Sequence, residues 1–409
     1  MSRRARRADL MAADAPGHPF AVVVGAGIGG LAAAAGLTRV GLSVLVLERA
    51  AALRTEGAGI SLLANAQRSL DQLGVGGRVG ELAATMLPGG EGVRTPGGRR
   101  LMQPTDPAFV RRHGLTTAVL PRPALHRTLR DAVPAEHVLT GAEVTGVARQ
   151  RDGTALVHYR RGGVPARVPA QVVIAADGLN SRLRAQMWPA AAPPVYSGHS
   201  VWRGIAEIDR AEPGGTTWGR GHEFGRMPLA DGRVYWYAVA NTPQGERHMD
   251  EHAEVVGRFG TWHRPIPDLL GRTPPGAVRH DDVFELPGPL PEFVSGRTAL
   301  LGDAAHAMTS DLGQGACQAL EDAVVLCAAL AAHPDVEEAL ADYDARRRPR
   351  AQAIVAASRR VGRMKLRERW WQVLMRNALT TLAPPRTGEA ALARIGDWHP
   401  PELPAGAAR

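Results

Sequence analysis

A chain of 409 residues is too long for one ordinary core and fits two domains, or one domain carrying a large insertion. Its 44% hydrophobic and 22% charged residues exclude a wholly disordered chain, and its two cysteines, Cys317 and Cys327, exclude a disulfide framework or a cysteine-rich zinc site. The net charge of +9 is uneven: residues 345–376 hold eleven cations against one acid, Glu368, which reads as a solvated helix face rather than a nucleic-acid or membrane surface.

Residues 1–19 are Arg-rich, then Ala-, Pro- and Gly-rich, with no apolar segment of a secretory signal, and are expected to form a disordered leader. With so little cysteine, the expected compartment is the reducing cytoplasm. Residues 21–24 read as an apolar strand, 25–30 as a glycine turn, 31–40 as an Ala-rich helix and 43–47 as the next strand. This β-α-β unit requires a parallel sheet. Residues 60–85 read as helical, 88–106 as a Gly-, Pro- and Arg-rich departure, and 122–132 as helix. Residues 138–147 and 155–159 alternate like strands of a small antiparallel layer, and 172–176 form a buried strand ending at Asp177-Gly178. Between 188 and 285 aromatic strands broken by Pro and Gly dominate, as in Tyr235-Trp236-Tyr237, which suggests an inserted sheet. Residues 297–301 are again a buried strand, a long helix starts near Gly315, helix continues over 336–378, and a Pro-rich tail follows.

Three motifs carry chemistry. Gly25-Ala26-Gly27-Ile28-Gly29-Gly30 follows a strand and opens a helix. Gly25 permits the tight turn, Gly27 lets backbone approach a pyrophosphate, and Gly30 lets helix and strand pack closely. The helix N-terminus supplies N–H groups to the phosphates. Glu48, 18 residues beyond Gly30, ends the second strand where a carboxylate accepts from a ribose. It would repel a 2′-phosphate, so the site suits FAD or NAD rather than NADP. The second motif, Asp177-Gly178 through Arg184, leaves a strand at the carboxyl edge of the sheet, where a plain turn would also serve. The third is Gly302-Asp303-Ala304-Ala305-His306 with Gly313-Gln314-Gly315 and Glu321-Asp322. Here Asp303 can bind a ribityl hydroxyl, and the helix start after Gly313 can stabilise a reduced flavin's negative charge.

In this order the motifs resemble the single-component FAD-dependent monooxygenases of the para-hydroxybenzoate hydroxylase type, over about residues 20–365. Bacterial urate hydroxylases and 6-hydroxynicotinate and salicylate monooxygenases are the similar members. The resemblance implies an α/β fold: a Rossmann-like FAD-binding domain with an inserted antiparallel-sheet substrate domain and C-terminal helices. The expected division is 20–85, 115–187 and 286–378 for the FAD domain, 86–114 and 188–285 for the substrate domain, and 379–409 for the tail.

The resemblance also implies non-covalent FAD, with NADPH or NADH as electron donor and molecular oxygen as co-substrate. A flavin hydroperoxide would hydroxylate or epoxidise a small aromatic or conjugated substrate. Gly25, Gly27 and Gly30 would hold the pyrophosphate and Glu48 the adenosine ribose. Arg49 and Ser61 would line the FAD cleft, Arg122 would lie near the phosphates and ribityl chain, and Val144 would contact adenine through its backbone. Asp177 and Arg184 would serve both FAD and NAD(P)H. Asp303, Gly313, Gln314, Gly315 and Ala316 would hold ribityl chain and isoalloxazine. Candidate substrate-side residues are Tyr235, facing a flat ligand, Arg203, pairing an acidic one, and His306, as proton acceptor; each has a packing or ion-pair alternative. No metal site, nucleic-acid partner or stable membrane association is expected, and the chain would be a monomer or homodimer.

The chain departs from this pattern at Ser310 and Ala307, where proline is usual, and at Glu223, near the place of the urate-type substrate arginine. A carboxylate there argues against urate. A flavin halogenase would need W-x-W-x-I-P and a relay lysine; residues 262–267 lack the second Trp, and the sole lysine, Lys365, lies in a C-terminal helix. A non-catalytic relative of the fold would not need the flavin-side helix start, and an NAD-linked dehydrogenase would need a catalytic His or Lys–Tyr set. An FAD reductase or oxidase without oxygen transfer is the alternative reading.

Overall fold

The computed structural model describes residues 19–53, 57–208 and 213–404, so most of the predicted leader lies outside the described residues. The core begins with the apolar strand Ala21–Val24, fully buried because helices cover both faces of a parallel sheet. It lies at the centre of a six-stranded sheet in the order Val294–Ser295, Thr298–Leu300, Val172–Ala175, Ala21–Val24, Val44–Glu48, Val138–Thr140. Every pairing is parallel except the edge strand Val294–Ser295. The chain enters this sheet from three distant segments, as the motif order requires.

The helix Gly315–Ala332 packs against the helix Ile28–Arg39 behind the sheet. It is the one described helix long and apolar enough to cross a membrane, but 78% of it is buried in this core. Cys317 and Cys327 lie buried along it as free thiols; burial pushes Cys317 up to about 12.

A seven-stranded sheet forms the second layer: Arg279–Glu285, Val195–Ala206, Val234–Asn241, His222–Pro228, Gly215–Trp218, Val93–Arg94, Arg100–Met102. The two insertions therefore meet in one sheet. Period-two alternation divides its faces. Trp202, Phe224 and Trp236 point away from the nucleotide domain into a second core closed by the helices Glu251–Phe259 and Ile266–Gly271. Tyr235 and Tyr237 point the other way.

Four sequence expectations change. Of residues 138–147, Val138–Thr140 joins the parallel sheet, and only the strand Ala142–Arg149 pairs antiparallel with Ala155–Arg161. Residues 60–85 are a strand, Gly59–Leu63, followed by the helices Ala64–Gln72 and Gly76–Leu82. Helix over 336–378 is broken into Val336–Lys365 and Trp370–Leu382. At the break, Arg376 donates to the Lys365 carbonyl and Asn241 to the Leu366 carbonyl, so side chains cap the first helix's last turn. The tail is also ordered: Pro385–Gly396 is a helix, and the Leu403 N–H donates to Gln72. Proline there marks a helix start rather than a break.

Candidate active site

Gly25 has φ +101°, and a Cβ on it would lie 2.5 Å from the Ala176 carbonyl oxygen. On Gly30 a Cβ would lie 2.0 Å from the Gly25 carbonyl oxygen. Gly27 meets nothing within 4 Å, so the outer side of the turn is open to an approaching group. Glu48 accepts from the Ala26 and Ala50 N–H groups, both at 2.8 Å, which fixes the carboxylate at the turn. The turn, the acid and the helix N-terminus at Ile28 together fit a dinucleotide.

The flavin-side loop is built on glycines as well. Gly302 has φ +63° and turns the chain so that Asp303 is exposed at the sheet edge. Gly313, φ +62°, opens Gly315–Ala332 beside Ser61, whose Oγ lies 3.2 Å from where a Gly313 Cβ would be. Gln314 is buried: its side-chain oxygen accepts from Asn65 and Gln318, while its side-chain nitrogen has no partner among the described residues. Arg49 and Arg122 are exposed, Ala316 is half-buried, and Val144 is buried on the strand Ala142–Arg149.

Asp177 and Arg184 serve the frame. The Asp177 carboxylate accepts from the Arg182 and Leu183 N–H groups at the start of their helix. Arg184 is buried and donates to the Leu179 and Ala304 carbonyls, tying the second motif to the third.

His306 is 2% exposed, with Nε2 2.6 Å from Asp322 Oδ2. The same oxygen accepts from the Gly302 N–H. Arg347 bridges Asp322 Oδ1 at 2.7 Å and Glu321. Burial pushes the Asp322 carboxyl up, but His306 and Arg347 outweigh it and hold it at about 2. His306 is thus committed to the network under the flavin loop.

Between loop and inserted sheet lies a cleft lined by Asp303, Met308 and Ser310 on one side and Val201, Arg203 and Val283 on the other. Arg203 donates to Asp281 at 2.9 Å. Tyr235 is 6% exposed, its ring packed on Gly59, where a Cβ would lie 2.4 Å from the ring. Burial raises its hydroxyl pKa against the pull of Arg203.

The sequence missed a buried cluster beside this cleft. Lys365 Nζ lies 2.5 Å from Glu223 Oε2 and 3.1 Å from Asp311 Oδ1. Tyr237 donates to Glu223 Oε1 at 3.2 Å. Burial pushes the Glu223 carboxyl up against the pull of Lys365. Burial pulls the Lys365 amine down, but Glu223 and Asp311 outweigh it and hold it charged. Glu223 is therefore not the isolated carboxylate the sequence suggested. The available signal was that the chain's only lysine stands in a run of arginines.

Glu246, His248 and Glu254 converge as a metal set would. Arg258 already pairs with both carboxylates.

A single glycine turn with its acid, a second glycine-led helix start and a cleft roofed by a sheet define a flavoprotein with a substrate chamber. Comparison with known proteins agrees. A family model described as FAD binding domain matches residues 20–195 and 290–358. An aurachin C monooxygenase/isomerase of Stigmatella aurantiaca is 36% identical over 84% of this chain and 88% of its own. A 2-heptyl-3-hydroxy-4(1H)-quinolone synthase of Pseudomonas aeruginosa is 31% identical over 89% of this chain and 94% of its own. The crystal structure of Klebsiella pneumoniae HpxO complexed with FAD and uric acid superposes with a TM-score of 0.83 at 28% identity, covering 93% of this chain and 97% of that one. The chain belongs to the FAD binding domain family and is an FAD-dependent monooxygenase of the aromatic-hydroxylase type.

Proposed function

We propose that the enzyme takes electrons from NADPH or NADH and transfers one oxygen atom to a planar, electron-rich aromatic ring held in the cleft between the flavin loop and the strands Val195–Ala206 and Arg279–Glu285 of the inserted sheet. The observation that carries this reading is the cleft itself: Asp303 and Ser310 face Val201 and Arg203 across it, so cofactor loop and inserted sheet share one chamber.

Bound FAD supplies the reduction and the activation of dioxygen; the chain supplies position and a dry environment. Gly25, Gly27 and Gly30 would hold the pyrophosphate, Glu48 the ribose and Asp303 the ribityl chain. Arg49, Ser61, Arg122, Val144 and the backbone at 313–316 complete the cofactor set. On the substrate side, Arg203 presents a cation to the cleft, steadied by Asp281. Tyr235 backs Arg203. Tyr237 and Glu223 offer a place to hold a proton at the sheet side of the chamber: Tyr237 packs with Val201, which lines the cleft. One relative is named for making a hydroxylated quinolone and the HpxO structure holds uric acid, so fused-ring heteroaromatics, quinolones first, are the substrates to assay. Substrate-dependent NAD(P)H and oxygen consumption with a product heavier by one oxygen atom is expected. NAD(P)H oxidation that yields only hydrogen peroxide with every ring tested would favour an oxidase instead.

A further inference from the structure

The helix Trp370–Leu382 is built inside out. Its inward arc carries Gln372, Arg376, Asn377 and Thr380, all at least half-buried. Arg376 is 5% exposed, donates to the Gly219 and Lys365 carbonyls and stacks over Trp218. The outward arc carries Trp370, Trp371, Leu374, Met375, Leu379 and Leu382, with exposures from 43% to 80%. At 3.6 residues per turn these six fall within one half of the helix surface. Folding alone would bury such a face; here the polar face holds the helix to the protein. Of the exposed large hydrophobics among the described residues, seven of twelve lie between Met364 and Leu382. A contiguous apolar patch of this kind marks a docking site.

The surrounding charge identifies the occupant. The basic run splits in two. Arg346, Arg347, Arg348, Arg350, Arg359 and Lys365 are engaged in ion pairs within the protein. Arg360, Arg363, Arg367 and Arg369, beside the apolar helix, are exposed or nearly so and have no acidic partner among the described residues. An apolar face led by two tryptophans and bordered by free arginines complements an anionic bilayer. A second copy fits less well, because a twofold contact would set this cationic border against itself.

We propose that Trp370–Leu382 is an interfacial helix that seats the enzyme on anionic lipid membranes. Composition alone pointed to no stable membrane association, because it weighed the charge run without the exposed apolar face beside it.

The test uses the FAD-loaded full-length enzyme and vesicles of phosphatidylcholine, with or without phosphatidylglycerol. Co-sedimentation with the phosphatidylglycerol vesicles is expected, weakening as salt is raised. Leu374→Ser/Leu379→Ser should lower partitioning at least about tenfold while the FAD spectrum is retained. Arg363→Gln should lower it about fivefold. The proposal is overturned if the wild type stays with the supernatant, or if the leucine variant binds like wild type. It is equally overturned if light scattering shows a stable dimer that the leucine variant dissolves, which would assign the face to a second copy. No readout here depends on oxygen transfer, so failure would leave the proposed reaction standing.

Discussion

Lys365 reaches from the end of the helix Val336–Lys365 to Glu223 in the inserted sheet, with Nζ 2.5 Å from Oε2, and both side chains are buried. Asp311, in the loop before Gly313, shares the same ammonium. One cation thus joins helix, substrate sheet and flavin loop. Two carboxylates around a single ammonium leave an odd negative charge in a dry site. Burial, reinforced by the charge of Asp311, pushes the Glu223 carboxyl up against the pull of Lys365, while the two carboxylates hold Lys365 charged.

Lys365→Met should therefore be strongly destabilising. It strands two buried carboxylates, and breaking a buried pair from one side costs about 3–5 kcal/mol. Adding Glu223→Gln should recover part of the loss, since the stranded charge is then removed. Denaturant unfolding of the three proteins checks this. A loss below about 1 kcal/mol in the single variant would mean that the cluster is hydrated and carries no such stress.

Asp303→Ala should weaken FAD binding. One charge-assisted hydrogen bond contributes about 1.5–3 kcal/mol, on the order of 10- to 150-fold in affinity. Asp303 is exposed at the mouth of the cleft, so its removal leaves no buried gap and the fold should survive. Fluorescence titration of the apoprotein with FAD measures the change; equal affinity in the two proteins would remove Asp303 from the cofactor set.

Asp322 sets an acid dependence of stability. Its carboxyl is held at about 2 in the folded protein against an ordinary 3.8. A depressed folded pKa stabilises the protein above the unfolded value, and that contribution is lost as pH falls from about 4 through about 2. Asp322→Asn should be less stable near neutral pH, and the gap to wild type should shrink over that acid window. Parallel unfolding titrations would show it, and a gap constant down to pH about 2 would contradict the assignment.

What could be read from the sequence was what local geometry dictates. Gly25 and Gly30 are forced by contacts with Ala176 and with Gly25 itself, and Glu48 by its place at the end of a strand. The shared face of Tyr235 and Tyr237 follows from alternation alone. Contacts across the fold were hidden. His306 looked free to accept a proton because the distance to Asp322 depends on how the helix Gly315–Ala332 packs under Gly302. Lys365 looked like one more solvated cation because Glu223 and Asp311 come from other segments. The helices Glu251–Phe259 and Ile266–Gly271 were missed because the need for them lies in the sheet's second face, where Trp202 and Trp236 require a cover.

Tyr235→Phe isolates one hydroxyl on the substrate side. The ring is packed against Gly59 and the cluster of Val119 and Leu229, so losing only the oxygen should leave fold and FAD occupancy intact. What changes is the neighbourhood of Arg203, which pulls on the Tyr235 hydroxyl and lines the cleft. If Arg203 positions the ring for oxygen transfer, loosening it should act on substrate handling and not on cofactor binding. A hydrogen bond of about 1–1.5 kcal/mol corresponds to a rise in KM of roughly 5- to 12-fold. A substrate held less firmly should also let part of the consumed NAD(P)H appear as hydrogen peroxide. Steady-state kinetics with peroxide quantified alongside product separate these effects. Unchanged KM together with unchanged coupling would make Tyr235 a packing residue of the domain interface, and the search for the substrate contact would move to Tyr237 and Glu223.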